Sequence, residues 1–287
     1  MTAPQRDVLY VDQRPVTPAE PPAAWLGGKS RLAKRICAIL AASPHTAYVE
    51  PFIGMGGVFL RRAMKPKVEV INDINGDIVT LFRVLQRFPD ALLKELKWKP
   101  SMRSEFNRLK ETRDCDLLDI ERAARFIYLQ RLAFGGKVSH QSFGVSSESA
   151  QSFSLKKLAP RLDRLRDRLD NVVIENLDWL EVITRYDAPA TLFYLDPPYW
   201  GGESDYGSGV FIRGDFQRMA DKLRSIKGSF LLSINDRPEI REMFEWADME
   251  EVSVTYSVAA GANSSAPELL IGRGVNLTAS APTPSLF

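Results

Sequence analysis

The chain has 287 residues, of which 45% are hydrophobic and 26% charged, as expected for a globular protein with a substantial core. Two cysteines and two histidines exclude a disulfide framework and a cysteine- or histidine-built cluster, so we predict no metal site. No apolar run reaches the ~18–20 residues that span a bilayer, and the N-terminus lacks a secretory signal, which predicts a cytoplasmic location.

Charge is distributed unevenly along the chain, although the formal net charge is only +2. Residues 87–170 hold 18 Lys and Arg against 12 Asp and Glu, whereas the rest of the chain holds 20 against 24. A basic middle within a mildly acidic frame indicates contact with a polyanion. A solvated helical surface explains the same excess equally well.

Both ends of the chain are predicted to be flexible. Residues 1–22 contain five prolines and little periodic apolar pattern, so we interpret them as an arm. Residues 275–287 are rich in Ser, Thr, Ala and Pro and are interpreted as a tail.

Short apolar runs typical of strands alternate with helical patterns between these ends. The predicted strands are Ala47–Glu50, Val68–Asn72, Val172–Asn176, Thr191–Leu195, Phe230–Ile234, Glu251–Val258 and Glu268–Ile271. The helices predicted among them are Gly57–Met64, Gly76–Arg87, Asp178–Tyr186, Asp215–Ile226 and Pro238–Trp246. This alternation predicts an α/β fold with a seven-stranded, mostly parallel sheet, helices on both faces and an antiparallel pair at one edge.

A helical insert interrupts the alternation between the second and third strands. Its predicted helices are Glu105–Glu111, Leu117–Arg131 and Leu155–Leu169, with a Gly/Ser-rich segment at 135–154. The insert coincides with the basic segment. The predicted organisation is an arm at 1–22, a catalytic domain at 23–87 and 171–274, an insert at 88–170 and a tail at 275–287.

A glycine-rich turn with a lysine occupies residues 24–30, Ala-Trp-Leu-Gly-Gly-Lys-Ser. A phosphate-binding P-loop needs glycine at position 23, where Ala23 stands, and a preceding strand, where prolines stand. An ATPase is therefore disfavoured. Lys29 still offers a cation at a turn whose backbone a ligand can approach closely.

A second glycine-rich loop, Pro-Phe-Ile-Gly-Met-Gly-Gly at 51–57, follows the first predicted strand. Its glycines allow a tight turn and close approach of a ligand. Asp73 ends the next strand, where a carboxylate is placed to accept hydrogen bonds from ribose hydroxyls. A plain turn and a helix N-cap are the structural alternatives, but loop and acid together favour a nucleoside-containing cofactor.

The strongest signal is Asp-Pro-Pro-Tyr-Trp at 196–200, directly after the apolar strand Thr191–Leu195. Ligands bind at that end of the strands in open α/β sheets. The two prolines hold an extended turn, so Asp196 and the Pro197 carbonyl can each accept one proton of an amino group. Tyr199 offers a face on which a planar base can stack. A structural Pro-Pro turn is the disfavoured alternative.

These segments occur together with others in a characteristic order. They are Trp25–Lys29, Glu50–Gly57, Asn72–Asn75, Leu129–Lys137, Asp196–Tyr199, Leu232–Asp236 and Glu268–Ile271. In this order the chain resembles the Dam-type, alpha-group adenine-specific DNA methyltransferases, in particular their phage and prophage branch. The resemblance extends from about Trp25 to Gly272.

The resemblance implies a Rossmann-like methyltransferase sheet with an inserted helical target-recognition domain. It also implies S-adenosylmethionine as the methyl donor, with no metal. The cofactor residues that it implies are Trp25, Lys29, Phe52, Gly54, Gly56, Asp73, Asp178 and Asp196. The catalytic residues that it implies, which bind the target adenine, are Asp196, Pro197, Pro198 and Tyr199.

The implied activity is site-specific methylation of the exocyclic amino group of an adenine flipped out of duplex DNA. Arg131 and Lys137 flank a Gly-Gly turn of the insert and are predicted DNA contacts, with a solvated surface as the alternative. Trp200 is predicted to assist stacking. The loop Gly201–Val210 is interpreted either as a lid over the base or as an idle surface loop. The sequence of residues 139–154 departs from that of family members that methylate within GATC. We therefore do not transfer GATC specificity to this chain.

Two other function classes compete with this interpretation. One is a methyltransferase acting on RNA, a protein amide or a small molecule, which the basic insert disfavours. The other is a non-catalytic nucleic-acid binder, which the intact Asp196–Tyr199 motif disfavours. The predicted partner is double-stranded DNA, without a membrane, and we expect a monomer with a weak dimer as the alternative. The recognition sequence and a paired restriction enzyme stay open.

Overall fold

A computed structural model describes residues 13–25, 27–134, 141–144, 154–203, 207, 209–257 and 263–279. Its strands are β1 (Arg14–Pro15), β2 (Ala47–Glu50), β3 (Met64–Lys65), β4 (Val68–Asn72), β5 (Val173–Glu175), β6 (Thr191–Leu195), β7 (Ser229–Asn235), β8 (Asp248–Ser257) and β9 (Asn263–Arg273). Its helices are α1 (Ala33–Ala42), α2 (Gly76–Arg87), α3 (Pro89–Leu96), α4 (Arg103–Glu111), α5 (Asp119–Leu132), α6 (Leu155–Arg168), α7 (Trp179–Tyr186), α8 (Arg213–Ser225) and α9 (Pro238–Met243).

The central sheet has seven strands in the order β5-β4-β2-β6-β7-β9-β8. Strands β5, β4, β2, β6 and β7 are parallel, whereas β9 runs antiparallel to both β7 and β8. The predicted seven-stranded α/β sheet and its antiparallel edge pair are therefore confirmed. Chain order reverses between β2 and β6, so the loops that follow these two strands diverge and leave a crevice, the usual ligand site of such sheets.

Alternate residues of the central strands face two separate cores. In β6, Leu192 and Tyr194 pack with α1, α2 and the insert, whereas Phe193 and Leu195 pack with α7, α8 and α9. All five residues of β6 are buried, as expected for a parallel strand covered on both faces. The sheet therefore supplies a rigid base for the loops at its C-terminal edge.

The insert is helical in its described part and packs onto one face of α2. Ile78, Leu81 and Phe82 of α2 lie in the same apolar cluster as Ala124 and Ile127 of α5. Helix α6 leads back to β5 and shares this cluster through its leucines. The insert thus has a core that is continuous with that of the sheet.

The structure departs from the sequence predictions at several elements. The predicted helix Gly57–Met64 is only a 3₁₀ turn, Phe59–Arg61, because Arg62 is already extended and leads into β3. Helices α1 and α3 had no predicted counterpart. Strands β8 and β9 are longer than expected, although Val258 lies outside the described residues.

The described part of the predicted arm is held against the body rather than free. Strand β1 pairs with β3, the amide of Ala19 donates to the Leu60 carbonyl at 2.8 Å, and Ala19 is buried. The predicted tail likewise begins with a packed segment, in which Leu277 is buried. Residues 1–12 and 280–287 lie outside the described residues.

A buried ion network ties the last turn of the insert to the sheet. Glu69 of β4 accepts hydrogen bonds from Arg168 at 2.7 and 2.8 Å and from Arg62 at 2.8 Å. Arg168 is the last residue of α6, and it also donates to the Phe59 carbonyl at 3.1 Å. The Arg168 and Glu69 side chains are fully buried, so each charge depends on its partner for solvation.

Replacing Glu69 with glutamine is expected to lower the free energy of unfolding by about 3–5 kcal/mol, because two guanidinium groups lose their buried counterion. Urea denaturation measures this loss. The matched control is Glu181→Gln, which removes an exposed partner of Arg185 and should cost no more than about 1 kcal/mol. A loss below about 1 kcal/mol for Glu69→Gln contradicts the argument.

Candidate active site

A cavity of about 580 Å³ opens at the C-terminal edge of the sheet, in the crevice between β2 and β6. It brings together eight of the predicted site residues: Trp25, Lys29, Phe52, Gly54, Asp73, Asp178, Asp196 and Pro198. Gly56, Pro197, Tyr199, Trp200 and Arg131 are not among its lining residues. Lys137 lies outside the described residues.

The floor of the cavity is the loop after β2, which the next strand holds in place. Gly54 has a φ of 49°, and its amide donates to Asp73 Oδ2 at 3.0 Å. The Asn75 amide donates to Asp73 Oδ1 at 2.9 Å. Burial raises the pKa of Asp73 to about 6, although these two amides favour its carboxylate. The carboxylate of Asp73, which is predicted to accept hydrogen bonds from ribose hydroxyls, thus also stabilises the glycine loop.

Asn72 joins the ends of three strands beneath the cavity. Its Nδ2 donates to the Pro51 carbonyl at 2.9 Å and to the Leu177 carbonyl at 3.1 Å, while its Oδ1 accepts the Leu177 amide at 2.9 Å. Asp178 follows, and its side chain caps α7 by accepting the Leu180 amide at 2.9 Å. The predicted cofactor residue Asp178 therefore lies on the wall of the cavity with its orientation fixed by this cap.

Asp196 and Lys29 form the polar centre of the site. Lys29 Nζ lies 2.7 Å from Asp196 Oδ1, and the Ser233 hydroxyl donates to the same oxygen at 3.1 Å. Burial raises the pKa of Asp196, whereas the Lys29 ammonium favours its carboxylate. Both contacts fall on Oδ1. Within the described residues, Oδ2 is therefore the oxygen through which Asp196 can accept a hydrogen bond from a ligand.

Lys29 also organises the aromatic side of the site. This buried lysine donates to the Tyr199 hydroxyl at 2.7 Å and to the Gly27 carbonyl at 3.2 Å, and its Nζ lies 4.5 Å from the centre of the Tyr199 ring. Tyr199 is therefore tied to the same ammonium as Asp196. A second carboxylate, the buried Glu268 of β9, lies 4.0 Å from Lys29 Nζ.

Glu50 is a buried acid of the cavity that sequence reasoning did not select. Burial raises its pKa to about 8, and its Oε2 accepts the Tyr48 hydroxyl at 2.6 Å. Burial of Glu50 thus disfavours its charged form, whereas the hydrogen bond from the Tyr48 hydroxyl favours it.

Two polar residues of β7 hold the Asp-Pro-Pro-Tyr-Trp turn, and they were also not selected as site residues. Asn235 accepts the Trp200 amide at 2.9 Å and donates to the Trp200 carbonyl at 3.0 Å. Ser233 joins Asp196 to the Tyr194 hydroxyl, which lies 2.8 Å away. Their spacing could have indicated a site, because Ser233 and Asn235 are polar side chains two residues apart at the end of an otherwise apolar strand, and this strand adjoins β6.

The family model described as D12 class N6 adenine-specific DNA methyltransferase matches residues 25–258. The chain belongs to this D12 class. It is therefore an adenine-specific DNA methyltransferase, which confirms the predicted family, enzyme class and adenine in DNA as the substrate. An RNA or protein-amide methyltransferase and a non-catalytic binder are not supported.

Relatives of the D12 chain include cellular and viral enzymes. It is 25% identical over 262 residues to a DNA adenine methylase of Haemophilus influenzae, covering 82% of this chain and 86% of the relative. It is 24% identical over 257 residues to the Type II methyltransferase M1.LlaDCHI of Lactococcus lactis subsp. cremoris (84% and 89%). It is 22% identical over 230 residues to the Type II methyltransferase M.CviBI of Paramecium bursaria Chlorella virus NC1A (79% and 86%).

Membership of the D12 class implies S-adenosylmethionine as the methyl donor. Over the residues that the structure describes, no group of three or more His, Cys, Asp or Glu is arranged to hold a metal ion. No described helix is long and apolar enough to cross a membrane.

Trp200 of the D12 enzyme, which is predicted to assist stacking on the base, has an aromatic and a cationic neighbour. Its ring packs against Phe216 with centroids 5.0 Å apart, and the Arg213 guanidinium lies 3.9 Å from the centre of the Trp200 ring. Arg213 in turn pairs with Glu203 at 2.8 Å. The role of Trp200 in stacking stays a prediction.

Arg131, predicted to contact DNA, is half-buried at the end of α5 in the D12 enzyme. Its Nη1 donates to the Pro22 carbonyl at 2.9 Å. Burial and the nearby Arg161 lower its pKa, so the site disfavours additional positive charge. The guanidinium is thus engaged with the chain N-terminal to Trp25.

Replacing Gly54 with alanine is expected to raise the KM for S-adenosylmethionine by about tenfold or more, because an L side chain at positive φ costs ~1–2 kcal/mol. A Cβ at Gly54 also lies only 2.8 Å from Nε1 of Trp25, so the indole has to move. Steady-state kinetics with saturating DNA measure the change. The control is Gly214→Ala, where nothing lies within 4 Å of the added Cβ. An unchanged KM for Gly54→Ala contradicts the assignment of Trp25 to the cofactor site.

Proposed function

We propose that the cavity binds S-adenosylmethionine beside an adenine that has been flipped out of duplex DNA. The observation that supports this proposal best is the fixed position of Asp196, which Lys29 and Ser233 hold through Oδ1. A carboxylate held in this way presents a defined acceptor to an amino group at the edge of the cavity. DNA adenine methylation itself follows from the family, and the roles of individual residues are the proposal.

The residues present fit the proposed cofactor. A volume of about 580 Å³ lies within the ~300–1,000 Å³ of small-molecule sites. Phe52 and Trp25 offer aromatic surfaces to a planar base, and Trp25 lies directly over Gly54. Asp178 and Asp73 supply carboxylates for hydroxyl and amino groups. When bound, S-adenosylmethionine supplies an electrophilic methyl group on a positively charged sulfur.

Asp196 and Pro197 orient the target amino group in this proposal. Asp196 Oδ2 accepts one N–H and the Pro197 carbonyl accepts the other, so that the nitrogen lone pair points along the remaining direction, into the cavity. Pro198 has no N–H that could compete for these acceptors. Because positive charge develops on the attacking nitrogen, a carboxylate already held at this point stabilises the transition state.

Tyr199 offsets part of the cost of flipping in this proposal. Extruding a base from duplex DNA costs a few kcal/mol, and stacking on an aromatic ring returns ~1–3 kcal/mol per base. The Lys29 ammonium, which lies at the Tyr199 hydroxyl, fixes one end of the ring. Lys137, Arg131 and Trp200 stay proposed DNA contacts, and residues 88–170 stay the proposed recognition insert.

Methyl transfer from labelled S-adenosylmethionine to unmethylated duplex DNA, followed by digestion to nucleosides, tests the proposed function. Label in N6-methyl-2′-deoxyadenosine is the expected result, and sequencing of the methylated DNA gives the recognition site. Label in cytosine contradicts the assigned target base. Cofactor binding without transfer to DNA, but with transfer to RNA or to a protein amide, contradicts the substrate.

A further inference from the structure

A short strap of chain connects the helical insert to the active site. The strap is residues 21–29, of which Leu26 lies outside the described residues. Its first part, Pro21 and Pro22, has no backbone N–H and cannot join a hydrogen-bonded ladder as a donor. Among the backbone groups of these two residues, only the carbonyl groups can form hydrogen bonds.

Side chains of the insert bind the strap at three carbonyl groups. Arg161 of α6 donates to the Pro21 carbonyl at 3.2 Å and forms an ion pair with Glu20. Arg131 of α5 donates to the Pro22 carbonyl at 2.9 Å, and its neighbour Gln130 donates to the Ala24 carbonyl at 2.9 Å. Each of these contacts joins residues more than a hundred positions apart, so the insert holds a segment that is distant from it in the chain.

Gln130 is the most precisely held of the three insert residues. It is 1% exposed, and its Oε1 accepts the Gln141 side-chain amide at 3.0 Å. The Ala24 carbonyl can only accept, so the Gln130 nitrogen must face it and the Gln130 oxygen is left to accept from Gln141. A buried amide with both ends engaged has one low-energy orientation.

The other end of the strap carries two residues of the active site. Trp25 follows Ala24 directly and packs over Gly54. The Gly28 amide donates to the Trp25 carbonyl at 3.0 Å, which closes a turn that delivers Lys29 to Asp196. A displacement of the strap at Ala24 therefore moves the indole over the glycine loop and the ammonium at the carboxylate.

We propose that Gln130 and Arg131 of the insert, which do not line the cavity, are positioning residues for the cofactor site and act through the strap on Trp25 and Lys29. Arg161 binds the same strap but also lines the cavity, so its loss would act on the site directly as well. This proposal rests on the proposed function, because it takes S-adenosylmethionine to be the ligand of the cavity. It gives Arg131 a role that needs no DNA. It also makes the insert a structural part of the cofactor site in addition to a recognition element.

Two variants and one matched control test the proposal without DNA. Gln130→Glu keeps the shape of the side chain but places an acceptor against the Ala24 carbonyl, and Arg131→Ala removes the contact to the Pro22 carbonyl without changing a residue that lines the cavity. The control, Arg164→Ala, changes an exposed arginine of α6. Calorimetric titration with S-adenosylmethionine is expected to show Kd values raised about tenfold for the first two, the loss of one charge-assisted or buried hydrogen bond, and within twofold of wild type for the control.

Hydrogen exchange of the unliganded protein supplies a readout that does not depend on the cofactor. Peptides covering residues 16–30 are expected to exchange about tenfold faster in Gln130→Glu and Arg131→Ala, while peptides covering β7 keep their wild-type rates. A strap that loosens while β7 keeps its protection distinguishes lost positioning from general unfolding.

Unchanged cofactor affinity and unchanged exchange, together with weaker DNA binding, overturn the proposal and make these residues DNA contacts. Faster exchange with unchanged cofactor affinity also overturns it, because the strap then moves without affecting the site. If the wild-type protein binds no S-adenosylmethionine, the proposed function fails, and the exchange of residues 16–30 alone decides whether the insert positions the strap.

Discussion

Replacing Asp196 with asparagine is expected to lower kcat for DNA adenine methylation by about 10²–10³-fold, the typical cost of removing one pre-positioned group that stabilises developing charge. Asparagine has nearly the same shape but lacks the negative charge. The asparagine can also direct its amide N–H groups at the target amino group, whose two N–H groups require two acceptors. Single-turnover methylation of duplex DNA measures the chemical step directly.

The affinities of the Asp196→Asn variant for cofactor and for DNA separate a catalytic role from a structural one. Both are expected to stay within a few-fold of wild type, because the Ser233 and Lys29 contacts can be kept by the amide oxygen. The control is Asp221→Asn on the exposed side of α8, which is expected to be fully active. A variant that retains more than about a tenth of the wild-type rate shows that Asp196 is not the principal acceptor.

Strands were the part of the fold that the sequence predicted most accurately. Ala47–Glu50, Val68–Asn72 and Thr191–Leu195 match the predicted bounds, because short runs with β-branched and aromatic residues between turn residues favour strands. The unpredicted helices α1 and α3 begin after Leu32 and Phe88, and neither residue provides a side-chain cap. The start of α1 therefore lacks the polar signal by which a helix N-terminus is recognised, whereas α3 has Pro89 and Asp90 in its first turn, a start signal that the sequence analysis missed.

The active site was predictable residue by residue but not as a network. The Asp-Pro-Pro-Tyr motif, the glycine loop and Lys29 were each selected from local patterns, and the structure brings Lys29 and Asp196 within 2.7 Å of each other. No local pattern states that these distant segments form an ion pair. The same holds for Asn235 and Gln130, whose importance comes from backbone groups far away in the chain.

The charged centre of the site gives Lys29 and Glu268 opposite effects on the acidity of Asp196. Burial has the largest effect and raises the pKa of Asp196. The Lys29 ammonium lowers this pKa, and the Glu268 carboxylate raises it. Asp196 accepts an N–H proton only as a carboxylate, so methylation is lost as the pH falls through its pKa. A change at either neighbour therefore moves the acidic limb of the pH–rate profile in a direction that its sign of charge dictates.

Replacing Lys29 with methionine removes the ammonium and is expected to shift that acidic limb to higher pH. At neutral pH the rate should fall about tenfold or more, the equivalent of one charge-assisted hydrogen bond worth ~1.5–3 kcal/mol. Glu268→Gln removes the opposing charge and is expected to shift the limb to lower pH. The pH dependence of single-turnover methylation measures both shifts. A general loss of structure would affect the two variants in the same way, whatever the charge that was removed. Shifts of the acidic limb in opposite directions therefore identify Asp196 as the titrating group, and shifts in the same direction contradict that assignment.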